Sequence, residues 1–246
     1  YMLSIKENGL EELDGDALPS TLGWLIATQN RIANVRNADR LSNVRKLMLS
    51  HNHLGAAQLQ ALAQSIPRLE MLRVACNRIE SLPPAVASHR CLGWLAMGGN
   101  AVCAQLLEER LRCAGAEAVV ELADASAVDV SETVLGQGSG AVVKEGSWNG
   151  RRVAVKLWTA SHFSDGDAVG EWSMGRLSGQ CDSIVRTLAA WRSPSLGMCV
   201  ELLEGASAVG GPPSFDSVTR DTFTEGRQVH LAPLQALGVI RTVASA

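Results

Sequence analysis

Residues 134–158, VLGQGSGAVVKEGSWNGRRVAVKLW, place three glycines in a turn between β-branched stretches and then deliver a lysine on an alternating strand. Gly136, Gly138 and Gly140 let backbone N–H groups approach phosphate oxygens with no Cβ in the way. Lys156, twenty residues after the first of them, supplies a compact cation for the same oxygens. Val153-Ala154-Val155-Lys156 has a period of two, which puts Ala154 and Lys156 on one strand face. Downstream, Glu171 opens a stretch with Met174 and Leu177 at helical spacing, and Cys181-Asp182 ends the predicted helix. The pattern points to a site for a phosphorylated nucleotide.

The same residues carry a family resemblance. The segment is similar to the small lobe of a eukaryotic-type protein kinase, where L-G-x-G-x-x-G-x-V covers the phosphates and V-A-x-K is the third strand. Leu135, Gly136, Gln137, Gly138, Ser139, Gly140 and Val143 fall on that loop, with Ala141 where the family has its third glycine. The resemblance implies that Val143 and Ala154 lie against the base of ATP. It implies further that Lys156 holds the α- and β-phosphates and that Glu171 pairs with that lysine from the helix, the two forming the catalytic set. On its own Glu171 reads as a solvated helix face; with Lys156 in place, the ion pair is preferred. Ser183–Arg186 resembles the entry to the fourth strand, and Leu196–Leu203 the fifth strand and hinge. Val200 then falls at the gatekeeper position, and the backbones of Glu201 and Leu203 bond adenine.

The family's H-R-D-x-x-x-x-N loop and D-F-G turn are missing. The histidines stand at 51, 53, 89, 162 and 230, none before Arg-Asp, and Phe215-Asp216 lacks the glycine. Pro233–Ala246 reads as an apolar helix that resembles the start of the large lobe. The expectation is a fragment of a longer kinase, itself inactive, with ATP as ligand and the Mg2+ ligands lying outside it. Serine and threonine are expected ahead of tyrosine as targets.

Ahead of this segment the sequence repeats. Asn8, Asn30, Asn52, Asn77 and Asn100 recur at steps of 22, 22, 25 and 23 residues. Five places before each stands Leu3, Leu25, Leu47, Leu72 or Leu95, and two places after stands Leu10, Ile32, Leu54, Ile79 or Val102. This resembles the leucine-rich repeat, in which alternate apolar residues face a core and the asparagine amide satisfies backbone groups where each strand turns. The fold class expected is an α/β leucine-rich-repeat solenoid followed by an α+β kinase small lobe, with a five-stranded antiparallel sheet, one helix and the start of a helical large lobe. Residues 1–125 and 126–246 would be the two domains, and 104–124 would be a capping helix. Trp24, Ile26, Met48, Met71 and Trp94 would lie on a concave face, either binding a protein partner or covered by another part of the protein.

A net charge of −3 with scattered Lys and Arg offers no polybasic footprint, so nucleic acid is not implied. Glu108, Glu109, Arg110, Glu117 and Glu121 interrupt every candidate membrane span between Asn100 and Gly136. Both domains are therefore expected in one compartment, the cytosol, with the six cysteines reduced and no zinc spacing. A scaffold whose kinase-like lobe is a pseudokinase is the second reading. The retention of Lys156, Glu171 and the glycines favours the enzyme.

Overall fold

The structure is a computed structural model that describes residues 1–113, 119–138, 140–163, 166–178 and 184–205. The chain opens with β1 (Met2–Ser4), β2 (Glu12–Asp14), β3 (Trp24–Ile26), β4 (Asn34–Arg36) and β5 (Lys46–Met48). It continues with α1 (Ala56–Ser65), β6 (Met71–Arg73), α2 (Pro84–Ala87), β7 (Trp94–Ala96) and α3 (Ala101–Cys113). Strands β1, β3, β5, β6 and β7 form one parallel sheet in that order. Its register aligns Leu3, Leu25, Leu47, Leu72 and Leu95. Because side chains alternate along a strand, the middle residue of each points away from its neighbours, and Leu25, Leu47 and Leu72 are fully buried. They pack with Leu59 and Leu62 of α1 and with Leu13 and Val35 of the two-stranded parallel β2–β4 sheet.

The repeated asparagines fix the turns. Asn52 donates to the carbonyls of Ala27 and Leu49 at 3.0 Å and accepts from the Ile32 N–H at 2.9 Å. Asn30 and Asn100 bridge in the same way. The residue before each asparagine is left-handed, with φ of 58° at Glu7, 58° at Gln29, 56° at His51, 52° at Cys76 and 73° at Gly99. The result is a row of left-handed residues along one edge of the sheet.

The second half contains β8 (Val120–Glu121), β9 (Asp129–Gln137), β10 (Ala141–Trp148), β11 (Arg151–Trp158), β12 (His162–Phe163) and β13 (Gly166–Asp167). Helix α4 (Ala168–Ser178), β14 (Thr187–Trp191) and β15 (Gly197–Glu201) follow. Asn149-Gly150, both at positive φ, make the tight turn that such a pair favours between β10 and β11. One face of β11 sends Val153 and Val155 into a core with Ala189, Trp191 and Cys199. The other face carries Ala154, Lys156 and Trp158 toward α4, where Trp158 packs with Trp172, Ala190 and Met198.

The expected fold class is corrected by this architecture. The described residues form a mixed α/β fold of four sheets, with parallel β1-β3-β5-β6-β7 and β2-β4 sheets and only four α-helices, rather than a repeat solenoid followed by a kinase lobe. The second large sheet is not a five-stranded antiparallel one. It has six strands in the order β8-β14-β15-β11-β10-β9, because Val120–Glu121 pairs parallel with Ala189–Ala190. That strand lies inside the span expected to be a capping helix, and α3 ends at Cys113. Helix α4 starts three residues before Glu171, and its buried face is Ala168, Trp172 and Ser173, while Met174 is exposed. A tryptophan seated between sheet and helix outweighed the Met174–Leu177 spacing in setting the helix's rotation. The stretch expected as the large-lobe helix, 233–246, lies outside the described residues.

Candidate nucleotide site

Strand β11 and helix α4 bring Lys156 and Glu171 together. The Lys156 ammonium forms an ion pair with Glu171 Oε1. Trp158, two residues along the same strand face, donates its indole N–H to Glu171 Oε2 at 2.8 Å. The Lys156 Nζ lies 5.0 Å from the centroid of that ring. The ammonium is thus held by a carboxylate and an aromatic face at once, and the carboxylate is itself fixed through both oxygens. The Lys156 side chain keeps 25% of its surface exposed and that of Glu171 keeps 44%, so both remain open to a ligand.

The glycine turn joins β9 to β10. Val143 pairs with Gly136 on one side and with Lys156 on the other, which sets turn and lysine on adjacent strands. The Gly138 N–H donates to the Ala141 carbonyl at 2.9 Å and closes the turn. Nothing would meet a Cβ on Gly136 within 4 Å, whereas a Cβ on Gly140 would lie 2.7 Å from the Phe163 ring. Gly136 leaves room beside the backbone for a ligand; Gly140 lets an aromatic ring pack against the turn. Leu135 and Gln137 flank it, exposed on β9, and Ser139 lies outside the described residues.

Ala154 is buried and pairs in register with Val200, whose side chain packs against the Trp158–Trp172 cluster. The Glu201 N–H is committed to the Arg186 carbonyl at 2.9 Å, and its side chain accepts from the Arg186 N–H at 3.0 Å. Glu201 therefore has no free N–H to offer a base. Leu203 follows, 55% exposed. Arg152 spans to Glu145 and Glu204, tying the end of β15 back to β10.

Lys156, Glu171, Val143, Ala154 and Val200 thus gather around β11. Trp24, Ile26, Met48, Met71 and Trp94 do not join them and sit on the parallel sheet. Trp94 is half exposed beneath the Arg73 guanidinium, 5.3 Å away; Lys46 lies 4.9 Å from the Trp24 ring, and Met71 is buried.

Sequence reasoning missed two residues. The period of two that placed Lys156 also places Trp158 on the same face, so its signal was present. Phe163 had no comparable local signal, because its contact with Gly140 crosses from a separate short strand.

Among the described residues, no three His, Cys, Asp or Glu side chains group as a metal site. No helix there is long and apolar enough to cross a membrane. No protein-family model matches the sequence, and no curated protein does.

Proposed function

We propose that this chain supplies the ATP-binding part of a protein kinase, directed to serine or threonine, with the repeated first half recognising a protein substrate or regulator. The observation that carries the reading is the Lys156–Glu171 ion pair, braced by Trp158 and set one strand away from a turn of three glycines. An ammonium so placed attracts two adjacent phosphates, and Glu171 and Trp158 keep it from wandering. Val143, Ala154 and Val200 offer an apolar bed for a purine. Bound ATP would supply the phosphoryl group, with Mg2+ held by residues beyond those described. The cytosol, where ATP is abundant, is the compartment that fits. The half-exposed Trp94 under Arg73 favours a recognition role for the parallel sheet.

The test is binding of a fluorescent MgATP analogue to the chain and to Lys156→Met. Loss of a charge-assisted phosphate contact predicts an affinity lower by roughly tenfold or more, with the melting temperature unchanged because Lys156 lies outside the buried clusters. Equal affinity of the two proteins would remove Lys156 from the site.

A further inference from the structure

Strands β12 and β13 lie between the two halves of the molecule and touch both. On one side they meet the row of left-handed turn residues. A carbonyl only accepts, so the 2.9 Å contact between His51 Nε2 and the Phe163 carbonyl has the imidazole donating. The Cys76 thiol donates to the Gly166 carbonyl at 3.5 Å. A Cβ on Gly166 would lie 3.4 Å from Gly98 Cα.

The next turn residue in the row is Gly99, and its identity is informative. The equivalent places hold Glu7, Gln29, His51 and Cys76, all with side chains at positive φ. At Gly99 a Cβ would stand 2.6 Å from the Cys76 sulfur and 3.0 Å from Asp167 Oδ2. The side chain is missing from the row at the place where it would collide with the Cys76 sulfur and crowd Asp167. Burial, and after it the Asp167 charge, raises the Cys76 thiol to about 11, in keeping with a carboxylate lodged among these turns.

On the other side the same short strands reach the nucleotide site. The Phe163 ring packs on Gly140, and the Gly140 carbonyl accepts from the Thr159 and Ala160 N–H groups at 3.0 and 3.3 Å. Asp167 is the residue before α4, and its Oδ1 accepts from the Gly170 N–H at 2.8 Å. That is an N-cap bond, one residue before Glu171 in the helix's first turn.

We propose that β12 and β13 couple the repeated half to the nucleotide site: His51, Cys76 and Gly99 grip them, while Phe163 seats the glycine turn and Asp167 caps the helix that carries Glu171. Phe163 and Asp167 are then positioning residues, and anything that moves the row of turns moves the Lys156–Glu171 pair. The positioning role rests on the nucleotide reading above, but the mechanical link does not.

Hydrogen exchange on the whole chain, without nucleotide, tests the link. His51→Asn suits the left-handed turn, since Asn tolerates that conformation, but its shorter side chain does not reach the Phe163 carbonyl. It should raise exchange in Ala168–Ser178 and around Ala141 by roughly fivefold, the scale of a lost cap or hydrogen bond, with β3 and β5 unchanged. Asp167→Ala should do the same to α4, and Asp167→Asn, which keeps the Oδ1 acceptor, should restore it. Wild-type exchange in α4 and the glycine turn of His51→Asn would overturn the coupling. The fluorescent MgATP analogue is then titrated separately. Weaker binding to His51→Asn, at a site it does not touch, supports the positioning role, and unchanged binding overturns that role. If wild type binds no nucleotide, the nucleotide reading and the positioning role fall, and the exchange data still decide the link.

Discussion

Trp158→Phe removes the indole hydrogen bond, while keeping a smaller aromatic ring beside the Lys156 ammonium and Trp172. Its missing partner is Glu171 Oε2, a charged acceptor that stays partly solvated. A bond to a charged group contributes about 1.5–3 kcal/mol when dry, and solvent reduces that here. In a longer protein that carries the catalytic residues this chain lacks, we expect phosphotransfer to fall by up to about tenfold, with a smaller change in the KM for ATP, since the lysine remains. A KM that rises in step with the loss of rate would show that the indole holds the lysine rather than the glutamate.

A second residue-scale effect is alkaline. Burial pushes the Cys199 thiol from 9.0 up to about 12 in the folded chain. The neutral thiol is the form that folding favours, so this contribution is complete below 9.0 and is lost as pH rises toward about 12. Urea midpoints should therefore fall across that window, and Cys199→Ala, though less stable throughout, should show a shallower fall. Parallel declines in the two proteins would place the alkaline sensitivity elsewhere.

At the scale of elements, the asparagines carry the most weight per residue. Asn52 is 4% exposed, and its amide serves the Ile32 N–H and the carbonyls of Ala27 and Leu49. Replacing it with Ala strands those groups without water, at a cost of roughly 1–3 kcal/mol. Asn8 is exposed, and among the described residues its side chain donates only to the Lys6 carbonyl, so Asn8→Ala should cost under about 0.5 kcal/mol. Chemical denaturation of both variants checks the contrast; equal losses would mean that the asparagines act through the turn backbone rather than by burial.

This contrast also shows what a linear sequence can reveal. The strands of the parallel sheet were legible because the leucines and asparagines repeat at a spacing set by one strand and its return. The Val153–Lys156 strand was legible because alternation and the Asn149-Gly150 turn agree. The number of helices was not, since two return segments close with short 3-10 turns, Gly15–Ala17 and Ala38–Leu41, the latter held by buried Leu41 and by Asn37 and Arg40 bonding to Asp16. The sixth strand, Val120–Glu121, is two residues long and owes its place to β14. At the site, the strand face of Lys156 was legible from alternation, whereas the pairing of Glu171 with it was expected only from the family resemblance. Phe163 was not, because its role is defined by a glycine across the fold.

For the molecule as a whole, the two halves keep separate interiors. The cluster around Leu25, Leu47 and Leu72 shares no buried residue with those around Val155 and Trp172. Between them run the His51–Phe163 and Cys76–Gly166 hydrogen bonds, the close packing of Gly98 and Gly99, and the contact of α3 with α4. A neutral hydrogen bond nets only about 0.5–1.5 kcal/mol, small against the 5–15 kcal/mol that typically hold a domain. Each half should therefore unfold as its own cooperative unit, with the contact between them shifting the two midpoints only slightly. Trp24 and Trp94 report on the first half, whereas Trp172 and Trp191 lie fully buried in the second. With Trp24 and Trp94 both changed to Phe, fluorescence reads the second half alone, while hydrogen exchange at β3 and β5 reads the first. Adding Asn52→Ala should lower the first midpoint by the full effect of the lost amide and move the second by less than about 1.5 kcal/mol, the upper contribution of one such hydrogen bond. One transition shifting as a unit in both measurements would mean that the interface contributes far more than these bonds, and that the repeats and the candidate nucleotide site form one folding unit.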